Sequence, residues 1–298
     1  MSLHIDKKAR VGLRRWEDLD SKILKNIFDR VPSSDLFFKV SLVCRPWHLA
    51  CWYTLFWSDP KTLDFSRYRH GFGLGLFGTE VDDMDIVYGS EIRVQHGMKN
   101  FVSFLTRIME GNDANGNPLD RWRQSISKII IPFKLAYIFD DCHLRSIAKR
   151  TPAVESLSLM ATIEITVAGF AKATRYWENI THLAVGFCHP RYPCVKMIEQ
   201  IGKSYPQLTS IEFCSRDHKE FCVGMKIAQA IVRSLPKLTT LRFQTVSLFE
   251  QAVAFISHNC PELKVIHCDD CFPRSSRFSP FIVRSYTFDL GKGQDLEW

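Results

Sequence analysis

Apolar residues recur along about half of this chain in one frame: an apolar residue, two others, an apolar residue, one other, an apolar residue. The frame reads Ile126-Ile129-Ile131, Val154-Leu157-Leu159, Ile180-Leu183-Val185, Leu208-Ile211-Phe213, Leu238-Leu241-Phe243 and Leu263-Ile266-Cys268. Its central residues are spaced 28, 26, 28, 30 and 25 positions apart. Alternation at the end of each frame predicts a short strand with one buried face. Helical apolar stretches precede several frames, at Leu144 to Lys149, Val195 to Lys203, Met225 to Val232 and Gln251 to Ser257. Pro152, Pro206, Pro236 and Pro261 stand two residues ahead of a frame, where proline stops a helix and sets an extended entry. A strand and a helix repeated at this period predict a stack in which each unit buries its apolar face on the next.

The segment from Trp16 to Trp57 follows another pattern. From Asp20 to Val31, Ile23 and Ile27 form one apolar row and Leu24, Phe28 and Val31 an adjoining one, predicting a helix capped by Asp18 or Asp20. Pro32 and Ser33-Ser34 stop it and start a second helix with Leu36, Phe37, Val40 and Val43 on one face; a third, short one begins near Pro46. So small a unit offers more apolar surface than it can bury alone, so it completes its core against something else.

Other stretches are less regular. Trp57 to Phe65, ending Leu63-Asp64-Phe65, leads into the first strand. Residues 66–121 are long enough for one or two degenerate repeats, with a glycine loop (Gly71, Gly73, Gly75, Gly78), a helix from Met98 to Met109 and a turn-rich connection from Gly111 to Pro118. Residues 272–298 fit no full repeat and are expected to form a cap or tail over the open end.

Side chains flanking each central strand residue point away from the core. They are Ser156, Ser158 and Met160; His182, Ala184 and Gly186; Ser210, Glu212 and Cys214; Thr240, Arg242 and Gln244; Val265, His267 and Asp269. His182, Glu212, Arg242, Gln244 and His267 are the candidates for reading a protein partner, or else ordinary solvated strand residues.

Composition narrows the picture. The 298 residues are 46% hydrophobic and 24% charged, a globular balance that excludes disorder. No apolar run is long enough to span a bilayer, so no membrane association is expected. The net charge is +7, but Lys7, Lys8, Arg10, Arg14 and Arg15 against Asp6 place much of it in a basic tail, residues 1–15. That tail lacks the apolar core of a signal peptide. Lys7-Lys8 and Arg14-Arg15 have the form of a two-part nuclear import signal, and equally of a solvated tail. No basic stripe interleaved with aromatics follows Arg15, so no nucleic-acid partner is expected.

Chemistry is sparse. Gly71-x-Gly73-x-Gly75 lacks the Lys and Ser/Thr of a phosphate loop. Cys268-Asp269-Asp270-Cys271 has metal-like spacing without a second ligand pair, and Cys214, His218, Cys222 and Cys188, His189, Cys194 are loose groupings. Cys188 and Cys271 also fall where a turn-bonding side chain is wanted. The expectation is a non-enzyme with no metal and no cofactor, its ten cysteines free thiols in a reducing interior, cytoplasm and/or nucleus.

The run Trp16-Glu17-Asp18-Leu19-Asp20, then Ile23-Leu24, Ile27-Phe28, Val31-Pro32, Asp35-Leu36 and Ser41-Leu42-Val43-Cys44-Arg45-Pro46-Trp47, resembles an F-box. Leu19-Asp20 stands where many F-boxes have Leu-Pro, a variant similar to one of plant F-box proteins. The repeat period and Cys260-Pro261-x-Leu263 resemble leucine-rich repeats of F-box/leucine-rich-repeat proteins. The resemblance implies an α/β fold: a three-helix F-box (16–60), then a leucine-rich-repeat solenoid (61–271) with parallel strands on its concave face and helices on its convex face. It implies a substrate-recognition subunit of an SCF-type cullin-RING ubiquitin ligase. Leu19, Ile23, Leu24, Ile27, Pro32, Leu36, Val40, Val43 and Trp47 would form or support the contact with a Skp-type adaptor, and through it with cullin and RING subunits. The repeats would hold an unidentified protein target. A non-degradative scaffold and a small-molecule co-receptor are the alternatives.

Overall fold

A computed structural model describes residues 16, 19–31, 35–36, 39–56, 61–67, 105–106, 109–111, 120–136, 138–160, 162–187, 193–217, 219, 221–274 and 283–290. Helix α1 (Ser21–Phe28) starts at Asp20, whose carboxylate accepts from the Lys22 N–H at 2.8 Å and so satisfies a first-turn donor. Its Leu24 and Phe28 turn inward. A turn of 3-10 helix, Val40–Leu42, leads into α2 (Arg45–Phe56), which at 12 residues is longer than the expected short helix. The Trp47 ring meets Phe28 edge-on at 5.5 Å, and its indole N–H donates to the Trp16 carbonyl at 3.0 Å. Leu36 and Cys51 complete this small core. Pro32, Ser33, Ser34, Phe37 and Trp57 lie outside the described residues.

Helix α2 packs on β1 (Thr62–Asp64), the first strand of a parallel sheet in a mixed α/β fold. Next come β2 (Lys128–Ile131), β3 (Ser156–Leu159), β4 (His182–Gly186), β5 (Ser210–Cys214), β6 (Cys222–Val223), β7 (Thr240–Gln244), β8 (Ser247–Phe249) and β9 (Val265–Arg274). Strands β1, β2, β3, β4, β5, β7 and β9 pair in that order, all parallel. Their register aligns Leu63, Ile129, Leu157, Leu183, Ile211, Leu241 and Ile266 side by side. Every frame residue predicted from the sequence is buried, none more than 7% exposed. The parallel pairing needs a crossover after each strand. It is supplied by α3 (Asp120–Ser125), α4 (Asp141–Arg150), α5 (Val167–Ala173), α6 (Cys194–Ser204), α7 (Met225–Ser234) and α8 (Glu250–Asn259), each packed on the next.

Two columns run across the units. Three positions before each of the last five frames, Thr151, Trp177, Tyr205, Leu235 and Cys260 are buried just after a helical segment. Here the Trp177 indole N–H donates to the Thr151 carbonyl at 3.0 Å, tying one unit to the next. Nearer the strand ends, Phe187, Phe213 and Phe243 stack at 5.8 and 6.1 Å.

The structure departs from the sequence reading in four places. Strand β1 pairs directly with β2, so residues 66–121 place no repeat strand between them; most of that stretch lies outside the described residues, although Leu105 and Met109 are buried. Helix α5 was not anticipated: Gly169 weakens its helical pattern, but Thr166 caps it and Asp141 in turn receives the Thr166 N–H at 2.8 Å. After β7 and midway along β9, Thr245 and Asp270 adopt φ of 56° and 50°. That left-handed backbone, strained for a β-branched threonine, redirects the chain into a second ladder, β6–β8–β9. Finally, β10 (Val283–Asp289) returns antiparallel along β9.

Candidate functional site

Two surfaces bear the residues that the sequence singles out. On the N-terminal helices, the apolar residues divide by row. Leu24 and Leu36 are each 2% exposed and serve the core, whereas Ile23 and Ile27, one turn apart on α1, are 50% and 41% exposed. Val43 stands out at 60%. Leu19, Val40 and Trp47 are half-buried against the core, and Pro32 lies outside the described residues. Trp16 and Leu42 belong among the exposed apolar residues too, at 70% and 67%; their place inside the motif was the available signal. Water contact with so many large side chains in so small a unit is unfavourable, at roughly 25 cal/mol per Å² of apolar surface.

The second surface is the outer face of the sheet. The register places Ala184, Glu212, Arg242 and His267 in one row and Gly186, Cys214, Gln244 and Asp269 in the next. Arg242 reaches Asp269 at 3.5 Å, and the Ser285 hydroxyl on β10 donates to Asp269 at 2.8 Å. His267 Nδ1 lies 2.9 Å from the Thr287 hydroxyl. His182, two strands from Arg242, instead meets its neighbour Thr181 at 2.8 Å. Thus Glu212, Arg242, Gln244 and His267 share one neighbourhood, extended by Asp269, Ser285 and Thr287, and His182 stands apart. Two flanking residues expected on this face are buried. Cys214 sits beneath Glu212 and Gln244, its thiol 3.4 and 3.7 Å from their side-chain oxygens. Gly186 lies under the Met160 backbone, which a Cβ would strike at 2.5 Å.

The cysteines have the surroundings of packing groups. Burial pushes Cys51 and Cys194 up to about 12 and Cys260 to about 11, the reverse of what activates a nucleophile. Cys268 donates toward Cys271, raising the first thiol and lowering the second, with both wholly buried. Cys271 also reaches the Phe243 carbonyl at 3.4 Å, the turn-bonding role open to it. Among the described residues no three His, Cys, Asp or Glu side chains are grouped to hold a metal ion; Cys188, His189 and His218 lie outside them. No described helix is long and apolar enough to cross a membrane.

The exposed apolar residues fall within residues 16–59, which match the F-box domain family. The chain carries an F-box domain at its N-terminal end. The chain is 25% identical over 256 residues to the F-box/LRR-repeat protein At3g48880 of Arabidopsis thaliana, covering 86% of this chain and 72% of the relative. To F-box/LRR-repeat protein 23 of the same plant it is 24% identical over 273 residues, 91% of this chain but only 50% of that protein's length. A third Arabidopsis relative, the F-box protein At4g11580, is 22% identical over 306 residues, 93% of this chain and 85% of the relative. F-box proteins are generally non-catalytic adaptors, and the domain implies a Skp-type adaptor as its general partner.

Proposed function

We propose that this chain is an F-box protein, the substrate-recognition subunit of an SCF-type ubiquitin ligase. In this reading the parallel sheet and its helices form a leucine-rich-repeat solenoid, with residues 16–60 as F-box, 61–271 as array and β10 as its cap. Ile23, Ile27 and Val43 touch the Skp-type adaptor, Leu19, Val40 and Trp47 frame the contact, and Leu24 and Leu36 hold it from beneath. Cullin and RING subunits join through the adaptor. Glu212, Arg242, Gln244 and His267, with His182 farther off, meet the protein target. The mechanism is proximity: joining two binding surfaces raises the effective concentration of target lysines near a ubiquitin-charged enzyme without a catalytic residue here. Free thiols at all nine described cysteines support an intracellular setting, cytoplasm or nucleus.

One observation carries the proposal: Ile23 and Ile27 are half in water on a helix whose other apolar row is sealed in a core, inside an F-box match. An apolar row that its own chain leaves open is what a partner buries. Copurification of the adaptor with the intact chain and with an Ile23→Asp, Ile27→Asp variant tests it. Capture by the intact chain and loss in the variant is the expected result, since a carboxylate buried without a partner is costly. An intact chain that captures no adaptor would overturn the ligase role. Unchanged lifetime of bound targets after deletion of the F-box would favour the scaffold instead.

A further inference from the structure

Aligned strands bring a second regularity into view, on the helices. Eight positions before Leu157, Leu183, Ile211, Leu241 and Ile266 stand Lys149, Arg175, Lys203, Arg233 and His258. Those five strand residues pair side by side, and α4 to α8 pack in the same order. The five side chains therefore form a single file across the helix layer, and all are exposed. A cation in the last turn complements the helix dipole. That accounts for a cation on any one helix, but it does not require the same register in every unit.

The file is available to a ligand. Among the described residues, Lys149, Arg175 and Lys203 are paired with no carboxylate, while Arg233 shares Glu199 at 2.5 Å with 69% of its own side chain in water. Gly202 lets α6 and α7 close up beside it, since a Cβ there would stand 2.2 Å from the Ser234 carbonyl oxygen. Next to that contact Glu199, Gly202, Lys203, Arg233 and Ser234 line a hollow of about 420 Å³.

Packed helix axes lie roughly 8–10 Å apart, so Lys149, Arg175, Lys203 and Arg233 offer one positive charge at about that interval, with His258 at the end of the file. A membrane calls for a broad basic plane with apolar anchors. A single-stranded nucleic acid calls for aromatics interleaved with the cations, and among the described residues Tyr176 is the exposed aromatic beside this file. A line of separate charges fits a linear polyanion. A peptide in polyproline II conformation turns every third side chain to one side, advancing about 9 Å each time. We infer that this helix face docks an extended acidic polypeptide segment of a partner protein, with Asp or Glu at every third position and one carboxylate for each of Lys149, Arg175, Lys203 and Arg233. This surface is separate from both the F-box residues and the outer face of the sheet, and it stands whether or not the ligase reading holds.

The test is fluorescence anisotropy on the full chain, using a labelled peptide of about 15 residues with Glu at every third position and Pro or Ser between. Binding is expected to weaken steeply with salt. It is expected to fall about tenfold or more in a Lys203→Glu, Arg233→Glu variant. A Lys196→Glu, Lys226→Glu variant makes the same charge change on the same two helices off the file, and a loss of about twofold or less is expected. Both pairs are solvent-exposed, and thermal unfolding of each variant checks the fold. Equal losses in the two variants, no binding of the spaced peptide, or tighter capture of an oligonucleotide or an anionic vesicle than of the peptide would overturn the inference.

Discussion

The F-box and the strand–helix units are built from the same apolar residue types, yet they leave very different amounts of them in water. In the units every frame residue is buried, each triplet but the last lying beside the next unit and the last beside β10. In the F-box, Trp16, Ile23, Ile27, Leu42 and Val43 remain between 41% and 70% exposed around a core of Leu24, Phe28, Leu36 and Cys51. A repeating element finds its missing half in its neighbour along the chain, whereas a solitary three-helix element must find it elsewhere. Apolar pattern alone therefore does not separate a buried row from an exposed one; the supply of covering chain does.

That contrast can be broken by substitution. The largest effect is expected within the units: Trp177→Ala removes a fully buried ring and its hydrogen bond to the preceding unit, and urea unfolding should show a loss of about 3–5 kcal/mol. In the F-box, Leu24→Ala should cost about 2–5 kcal/mol, whereas Ile23→Ala beside it should change stability by less than about 0.5 kcal/mol. Equal costs at the two positions would erase the distinction between the rows. Gly202→Ala drives a methyl into the Ser234 carbonyl, and a loss of about 1–3 kcal/mol is expected from thermal melts.

Smaller effects sharpen the account of the units. His143 on α4 is lowered from its ordinary value, chiefly by burial and against the pull of Asp140. Its Nδ1 lies 3.3 Å from the Asp140 backbone N–H, from which it accepts when neutral. The unfolded chain thus binds this proton more readily than the folded one. This group's stabilising contribution is complete above pH 6.5 and declines as the pH falls below it. Unfolding curves across that window in His143→Gln should lose this part of the slope. Least of all, Tyr205→Phe removes a buried hydroxyl without a hydrogen-bond partner, so stability should hold or rise by up to about 1 kcal/mol.

The strand frame was legible because it was written six times, with prolines marking four of the entries. The F-box was legible through its ordered motif, but periodicity displayed both rows of α1 without saying that Leu24 faces the core and Ile23 the water. Helix α5 was hidden by Gly169, whose value lies in its close approach to Asp141: a Cβ there would stand 1.8 Å from the carboxyl carbon. The strained turns at Thr245 and Asp270 have no sequence signature, since neither is glycine and a threonine rarely adopts that backbone. On the outer face, the grouping of Glu212, Arg242 and His267 followed from the frame, whereas Ser285 and Thr287 arrive on a strand that belongs to no repeat. The cationic file escaped because counting charge over the whole body averages the helix layer with the sheet; it emerges only when the units are set in register.

The reversed strand at the end also bears on how such a chain can change over generations. A duplicated strand–helix unit inserted between existing parallel strands meets matching edges on both sides and lengthens the stack. Past Val283 the same duplication would meet an antiparallel neighbour, whose hydrogen-bond spacing a parallel newcomer does not match. A duplicated unit would therefore fit upstream of β9, between parallel neighbours, and not past β10.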